Sequence, residues 1–517
     1  MSKMSIEECL AHADETKALC LEAGALKRVP SLIRQYFTND AEGAGELAVY
    51  LVADENTWEA AGKALEEVLS AANTGEVASQ AAITIAGKYV FPAKPTLHAE
   101  YPHVESLRDT LKAAYQGCMA LPASQAAGRR AFVPIAIGGG TLNDLVKKAV
   151  SELDPPLPYI CLATAASVDG FTANGAPLLL DGFKQTLRCA APRLVIADLD
   201  VLAAEPAYLA SSGFADLASK IIAGADWLMA EEVENCLNQA GIPRDTLTKD
   251  FAEPIDQVAW DMTQTSLMDN LHASIDAVRG DTAALKTLFE ALAITGFAMQ
   301  RLKSSRPVSS AEHMLAHVWE MENIVHSKES SELLSKDLAV SCTIGETVTH
   351  GHKVAIGTLA ATAFTELFFK NPNAPPSPPS GWVYASSAAH SSAGREAQVA
   401  KAFAGMPAEA SIIKTALSKL LDNRTAAVIN QYVQDKWQGL RSKVLERLVP
   451  YAELKSMFEK AGAPTKPEHI NISREKVLAD IRRAQMIRTR YSIFDLAFDT
   501  GCLDTIIKGI GENNEYL

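Results

Sequence analysis

The first two hundred residues alternate between short apolar runs and longer segments whose apolar positions recur at helical spacing. One apolar run begins at Leu47 and ends at Asp54, and a helical pattern follows from Thr57. Further strand-like runs lie at 82–86 or 88–91, 131–137, 158–164 and 193–202, and a further helical pattern lies near 104–117. Because strands that alternate with helices form mostly parallel sheets covered on both faces, this pattern predicts an α/β domain. Residues 1–45 are expected to form an amphipathic helical leader.

From about residue 205 the pattern changes to long helical segments with almost no strand-like alternation. Examples begin at Ala215, Leu285 and Val428. We therefore expect two domains, an α/β domain over residues 1–204 and an all-α domain over residues 205–517. The proline-rich stretch at 371–381 suits neither a helix nor a central strand and predicts a surface loop.

Composition narrows the class of protein. The net charge of −14 over 517 residues argues against a nucleic-acid binder, which would show a basic stripe. The eight cysteines are scattered without a CxxC pair, which is typical of a reduced, cytoplasmic protein. The N-terminus has no apolar signal region, and no stretch reaches the ~18 apolar residues of a membrane span, so we expect a soluble protein with no membrane partner.

Three consecutive glycines, Gly138, Gly139 and Gly140, separate the apolar run at 131–137 from a helical pattern. Glycine lets the backbone turn sharply and approach a ligand, and the N-terminus of a helix attracts anions. This arrangement predicts a cradle for a nucleotide pyrophosphate, although glycines between a strand and a helix can also form only a turn. A second glycine-bearing loop, at 165–177, follows the run at 158–164, and ligands of such sheets collect at the carboxyl ends of strands.

One carboxylate and two imidazoles in the helical half could meet around a metal ion: Asp216, His313 and His350. Such a set, with one position left open, suits a divalent cation that acts as a Lewis acid, with zinc as the first choice. Spacing alone leaves other interpretations open. A buried histidine is often a satisfied core residue, and an aspartate can complement a helix dipole.

The motifs resemble, in a fixed order, those of the superfamily of iron-dependent alcohol dehydrogenases and dehydroquinate synthases, and within it the bacterial sn-glycerol-1-phosphate dehydrogenases. The similarity extends from about Gly24 to about Leu503. It rests on ADENTWEAAGKALEEVL, IGGGTLNDLVK, ATAASVDGFTANGAPLLL, ADLDVLAAEPAYLASSGFADLASKIIAGADWLM, SSAEHMLAHVWEM, THGHKVAIGTL and ADIRRAQMIRTRYSIFDLA.

This resemblance implies a Rossmann-like N-terminal domain, a helical C-terminal domain and an active site in the cleft between them. It places the metal on Asp216, His313 and His350 and the substrate beside Asp169. It implies a cofactor site made by Asp54, Gly138, Gly139, Gly140, Thr141, Asp144, Thr164 and Ser167. Asp54 would face the adenosine ribose, but an aspartate at a helix start is an equally good interpretation.

The basic residues near these motifs are candidates for binding a substrate phosphate. Lys220, one helical turn after Asp216, is the first choice, and Lys353 is the second, although either could be a solvated lysine. Lys184 and Arg188 are weaker candidates. His317 is expected to pack in the cleft wall rather than to bind the metal, and His352 is likewise expected not to be a ligand.

The chain departs from the family pattern at Ala163, where relatives commonly have proline, and at His352, where an acidic residue is common. The segments around 70–100 and 371–395 are longer than in compact relatives. The resemblance nevertheless implies the NAD(P)-dependent reduction of dihydroxyacetone phosphate to sn-glycerol 1-phosphate.

Three other functions stay open: a glycerol-type polyol dehydrogenase, a cyclase-lyase of the dehydroquinate-synthase type, and a non-catalytic binding protein. The choice between NAD and NADP also stays open, as does the choice among zinc, nickel and iron. A homodimer or a larger homo-oligomer is expected from the resemblance.

Overall fold

The computed structural model describes residues 3–38, 45–73, 81–120, 130–337 and 345–517. Six parallel strands form one sheet in the order β1-β8-β5-β4-β2-β3, and β6 and β7 form a separate antiparallel pair. The strands are β1 (Ala18–Glu22), β2 (Glu46–Asp54), β3 (Ala82–Phe91), β4 (Arg130–Gly138), β5 (Ile160–Ala163), β6 (Ala176–Leu180), β7 (Phe183–Leu187) and β8 (Leu194–Asp198).

Seven helices accompany these strands in the described part of the first half. They are α1 (Ile6–Leu10), α2 (Val29–Phe37), α3 (Glu55–Thr57), α4 (Lys63–Ala71), α5 (Tyr101–Ala120), α6 (Gly140–Ser151) and α7 (Leu199–Ala203).

The described residues after α7 form helices and the loops between them. These helices are α8 (Ala207–Ala218), α9 (Lys220–Gln239), α10 (Gln257–Trp260), α11 (Leu267–Ser274), α12 (Thr282–Leu302), α13 (Ala311–Met321), α14 (Lys328–Asp337), α15 (His350–Phe368), α16 (Ser392–Ala402), α17 (Glu409–Ser418), α18 (Asn423–Asp435), α19 (Trp437–Leu445), α20 (Tyr451–Lys460), α21 (Arg474–Ala484), α22 (Ile493–Asp499) and α23 (Leu503–Glu512). The predicted α/β region followed by a helical region is therefore confirmed.

Strand β2 shows why the sheet is covered on both faces. Its alternate residues Ala48, Tyr50 and Val52 lie in a core with α5, α6 and α8, and Leu47 and Val49 lie in the core on the opposite face. All five are buried. A strand that is apolar on both faces belongs in the interior of a parallel sheet, which is where β2 lies, between β4 and β3.

Strand β1 corrects the expectation that residues 1–45 form only a helical leader. It pairs in parallel with β8, with Ala18 opposite Leu194, and it forms one edge of the sheet. A five-residue strand between short helices carries a weak periodic signal, and its partner lies far along the chain.

The loop expected at 165–177 is shorter in the structure, because Ala176 and Pro177 begin β6 of a hairpin that was not predicted. Strands β6 and β7 are joined by Asp181 and Gly182, whose φ angles are 52° and 74°. Two consecutive residues with positive φ form the tight turn that Asp-Gly favours. This dipeptide between two apolar or alternating runs was the signal that could have revealed the hairpin.

Other boundaries also differ from the sequence pattern. The single helix expected from Ala215 is divided into α8 and α9 at Ser219, and the one expected from Val428 is divided into α18 and α19 at Lys436. The two alternative strands at 82–86 and 88–91 are one strand, β3. The proline-rich segment at 371–381 forms the predicted surface loop.

Within the described part of the chain, only α12 is long and apolar enough to cross a membrane, and 72% of its apolar window is buried in the protein interior. This is the burial of a core helix. The seven described cysteines are free thiols, and Cys342 lies outside the described residues.

Candidate active site

The three predicted metal ligands lie together. Asp216 is on α8, His313 is in the first turn of α13 and His350 is the first residue of α15. One ligand atom from each lies within 4.8 Å of the other two, and His313 Nε2 lies 3.5 Å from Asp216 Oδ1. Asp216 is fully buried, whereas the His350 side chain is 26% exposed. The group is therefore open to the exterior on the His350 side.

Two carboxylates orient the imidazoles. His313 Nδ1 donates to Glu312 Oε1 at 2.8 Å, and His350 Nδ1 donates to Glu320 Oε1 at 2.6 Å. Each bond places the proton on Nδ1 and leaves Nε2 free to bind a cation. Both glutamates are on α13. Neither glutamate was predicted from the sequence. The contact between Glu320 and His350 depends on how α13 packs against α15, which the sequence does not show.

A buried lysine balances the carboxylates at the centre of the site. Lys220 Nζ lies 2.8 Å from Asp169 Oδ2 and 2.9 Å from Asp216 Oδ1, and its side chain is fully buried. Asp169 also donates its backbone N–H to Asp216 Oδ2 at 2.9 Å. This network ties the loop after β5 to the start of the helical half.

The network controls the ionisation of the ligands. Burial alone would raise the pKa of Asp216, but Lys220 and His313 lower that pKa overall, so the carboxylate stays ionised. Burial opposes protonation of His313, but hydrogen bonds to Asp216 and Glu312 raise its pKa to about 9. The carboxylates therefore favour a positive charge at His313, and a metal ion would take the place of the proton on its Nε2.

The glycine run lies beside this centre, at the carboxyl ends of two paired strands. Gly138 is opposite Ala163 in the register of β4 and β5. Gly139 occupies the cap position of α6, and none of the described side chains caps this end. A Cβ on Gly139 would meet open space, whereas one on Gly140 would lie 2.7 Å from Val168. The first N–H groups of α6 are therefore free to bind an anion.

The other predicted cofactor residues lie at different distances from this helix start. Thr164 donates its backbone N–H to Gly138 O at 3.2 Å, and Ser167 follows on the same loop. Thr141 is in the first turn of α6. Asp144 is buried deeper in α6, where Lys147 Nζ lies 3.1 Å from its Oδ1.

Asp54 has a local partner. Its Oδ1 accepts the backbone N–H of Thr57 at 2.9 Å, so it caps α3 at the end of β2. The helix-start interpretation is thus realised, and the contact with a ribose stays a prediction.

A cleft of 1480 Å³ borders the centre on one side. Asp169, His313, His317 and His350 line it, together with Arg488 from the segment before α22. His317 thus lies in the cleft wall, as expected. An Arg488 N–H donates to His317 Nδ1 at 2.8 Å, so the neutral ring carries its proton on Nε2. Burial and Arg488 lower the pKa of His317 well below its usual range.

The candidate phosphate-binding lysines have different surroundings. Lys220 faces two carboxylates, an arrangement that does not favour a direct contact with phosphate. Lys353 is buried and donates to Val348 O at 2.8 Å. Lys184, on β7, is buried in the cleft wall and lies 3.2 Å from Glu320 Oε2. Arg188 is exposed at the rim of the cleft.

His352 does not belong to the metal group. It is fully buried, and its Nε2 lies 2.7 Å from Ser211 Oγ. Burial lowers its pKa to about 3, so the ring is neutral. The expectation that this histidine is not a ligand agrees with its position.

Comparisons with known proteins agree with this architecture. Residues 97–206 match the family model of iron-containing alcohol dehydrogenases. The glycerol-1-phosphate dehydrogenase [NAD(P)+] of Bacillus subtilis (strain 168) is 36% identical over 190 residues, which cover 37% of this chain and 43% of the relative. That of Geobacillus thermodenitrificans (strain NG80-2) is 33% identical over 224 residues, covering 43% and 46%. The alignments thus span less than half the length of these curated relatives.

Two solved structures share the fold. A probable glycerol dehydrogenase from Sinorhizobium meliloti 1021 aligns with a TM-score of 0.51 and 13% identity, over 96% of this chain and 99% of that one. An archaeal halo-thermophilic Red Sea brine pool alcohol dehydrogenase aligns with a TM-score of 0.50 and 12% identity, over 98% and 100%. The resemblance to the iron-containing alcohol dehydrogenases and to curated glycerol-1-phosphate dehydrogenases, first seen in the motifs, is therefore confirmed.

Proposed function

We propose that this protein reduces dihydroxyacetone phosphate to sn-glycerol 1-phosphate with NADH or NADPH and one divalent metal ion. The observation that carries the proposal is the convergence of Asp216, His313 and His350 beside a cleft that both histidines line. The names of the curated relatives supply the substrate class.

The side chains at the centre fit a divalent cation. Two imidazoles have their Nδ1 protons engaged by Glu312 and Glu320, and the Asp216 carboxylate is ionised and buried. Zinc is the first choice, with nickel and iron as alternatives, because all three accept imidazole and carboxylate ligands. When bound, such an ion supplies Lewis acidity toward a carbonyl oxygen.

The residues of the chain supply position and charge. Glu312 and Glu320 hold the rings in the orientation that ligation needs, and Lys220 keeps Asp216 and Asp169 close together despite their like charges. Asp169 lies in the cleft beside His313, where its carboxylate can accept a hydrogen bond from a substrate hydroxyl. A ketone anchored at these groups would present a single face, and that face sets the stereochemistry of the alcohol.

The cofactor would lie across the end of the sheet. The free N–H groups at the start of α6 would hold its pyrophosphate, and Gly139 leaves the room for it. Thr141, Thr164 and Ser167 would line the same site, and Asp54 would face the ribose. A bound nicotinamide supplies the hydride. Asp144 is held by Lys147 and would support α6 from within.

The test measures the oxidation of NADH and of NADPH with dihydroxyacetone phosphate, the chirality of the product and the metal content of the same sample. We expect net oxidation of one or both cofactors, sn-glycerol 1-phosphate as the product and about one metal ion per chain. His313→Ala should lose both metal and turnover. Metal-loaded protein that oxidises neither cofactor would overturn the proposal.

The same assays separate the alternatives. A polyol dehydrogenase would oxidise glycerol as well as it oxidises glycerol 1-phosphate. A cyclase-lyase of the dehydroquinate-synthase type would show no net redox change. The cations in the cleft wall favour a phosphorylated substrate over glycerol.

We also propose that the chain divides into a Rossmann-like domain over residues 1–204 and a helical domain over residues 205–517. The last strand, β8, ends at Asp198, which supports this boundary. A cytoplasmic location agrees with the free thiols of the described cysteines. The homodimer is carried over from the family resemblance, and light scattering coupled to gel filtration would test it.

A further inference from the structure

Two cations lie near one imidazole in the cleft wall, and one of them contacts it. Arg488 contacts His317 Nδ1 at 2.8 Å, and both Arg488 and Lys184 lower the pKa of that ring. Lys184 reaches the same region from β7, where it pairs with Glu320. The His317 and His350 ring centroids are 6.3 Å apart, so the two cations lie close to the candidate metal centre.

Arg488 differs from its neighbours in the chain. Arg482 pairs with Asp504, and Arg483 pairs with both Glu322 and Asp480. Arg490 donates to both oxygens of Ser309. Among the described residues, no carboxylate lies within 4.0 Å of Arg488, whose hydrogen bond is to His317 alone.

This arginine therefore carries a partly buried charge that no described carboxylate contacts, although Asp250 and Glu320 lie near enough to raise its pKa. Burial and the nearby Arg490 lower its pKa to about 10, which still leaves it protonated at neutral pH. A guanidinium offers five N–H donors in a planar fork that matches a phosphate or carboxylate. Its position in the cleft wall leaves part of that fork open to a ligand.

We propose that Arg488, assisted by Lys184 on β7, is the receptor for the phosphate group of the substrate. The inference rests on the proposed function for the identity of the substrate. It replaces Lys220 in that role, since the Lys220 ammonium already faces two carboxylates. In a chain with a net charge of −14, local cations of this kind are needed to attract a phosphorylated ketone.

The first test compares two substrates that differ only in the phosphate. For Arg488→Gln we expect KM for dihydroxyacetone phosphate to rise about 10- to 100-fold, because the variant loses a charge-assisted hydrogen bond to the phosphate. KM for dihydroxyacetone should stay unchanged. Arg488→Lys should recover part of the loss. Arg482→Gln is the matched control, because this arginine lies on α21 in an exposed ion pair, and it should leave both KM values unchanged.

Two results would overturn the proposal. If KM for both ketones rises together, Arg488 acts by holding His317 rather than by binding phosphate. If neither KM changes, the arginine does not contact the substrate. Lys184→Gln should raise KM for the phosphorylated ketone alone, and its metal content must stay at the wild-type value, because Lys184 also contacts Glu320.

A binding measurement keeps this inference separate from the reaction. Titration calorimetry of the metal-loaded protein with inorganic phosphate should give a dissociation constant that rises about 10-fold or more in Arg488→Gln. This holds even if dihydroxyacetone phosphate proves not to be reduced, in which case only the proposed function fails. Equal phosphate affinity in wild type and Arg488→Gln would overturn the assignment of Arg488 as the phosphate receptor.

Discussion

Replacing Glu320 by glutamine tests how the chain prepares its metal centre. Glu320 Oε1 accepts the Nδ1 proton of His350 at 2.6 Å, and only 10% of the glutamate side chain is exposed. Lys184 and His350 hold the pKa of this carboxyl well below its usual range, although burial alone would raise it. Glu320→Gln keeps the shape of the side chain and removes its charge.

The expected loss follows from the role of such a carboxylate. A charged acceptor fixes the ring and increases the basicity of its free nitrogen, and its removal typically costs about 10- to 100-fold in metal affinity. That range corresponds to about 1.4 to 2.8 kcal/mol of binding free energy. The His350 side chain is the most exposed of the three ligands, so it depends most on this hydrogen bond for its orientation.

The assay is a competition between the protein and a chromophoric chelator for Zn²⁺, read as a dissociation constant. Glu322→Gln is the matched control. Glu322 caps the C-terminus of the same helix, α13, but it pairs with Arg483 and Lys476 rather than with a metal ligand. We expect the control to bind zinc as wild type does. If Glu320→Gln also bound zinc with unchanged affinity, the reasoning from ring orientation would be refuted.

Three further substitutions, the first with a control, test other parts of the protein. Gly213→Ala should weaken zinc binding and lower the melting temperature, because the added Cβ would overlap the carbonyl oxygen of Ala166. The control Gly439→Ala, on an exposed helix face, should stabilise the folded protein by up to about 1 kcal/mol. Similar shifts in melting temperature for both variants would count against close backbone packing at Gly213. Lys220→Met should lower the melting temperature more in metal-free than in zinc-loaded protein, since the ion offsets the two carboxylates, and an equal drop in both would contradict this. Burial raises the pKa of Asp226 from 3.8 to about 7, so the folded state holds the proton more tightly and wild type loses stability as pH rises through that window. The gain in melting temperature on Asp226→Asn should therefore grow from low pH to about 7 and then level off, and a pH-independent difference would exclude this account.

The fold was predictable where local pattern and long-range structure agree. Strand β2 lies inside the sheet, between β4 and β3, and both of its faces are covered. Its uninterrupted run of apolar residues predicts this position. Strand β1 is short and lies at the edge of the sheet, so its identity depends on its pairing with β8. The hairpin of β6 and β7 was predictable from the dipeptide Asp181-Gly182, which favours a tight turn.

The site was predictable only in part. The motifs placed Asp216, His313 and His350 in one group, and the structure brings them together. The contacts of Glu320 and Arg488 depend on which helix packs against which, and neither residue stands at a distinctive spacing from its histidine partner. Such contacts are set by tertiary structure and leave little trace in a single sequence.

Three glycines explain how the ligands come so close together. A Cβ on Gly213 would overlap the carbonyl oxygen of Ala166, one on Gly351 would overlap that of Ser212, and one on Gly296 would overlap the Thr172 hydroxyl. The first two adjoin the site directly, since Gly213 lies one turn before Asp216 and Gly351 follows His350.

Backbone therefore rests on backbone where α8 meets the loop after β5 and the start of α15. Any side chain at these positions would move α8 away from one of its neighbours, and with it Asp216 away from Asp169 or from His350. Because α8 and α15 carry two of the three ligands and α8 also rests on the loop after β5, the geometry of the cation site depends on this contact as much as on the ligands themselves. A metal titration of Gly351→Ala would show this directly: weaker binding with every ligand intact can arise only from displaced backbone, and wild-type affinity would mean that the helices adjust without moving the site.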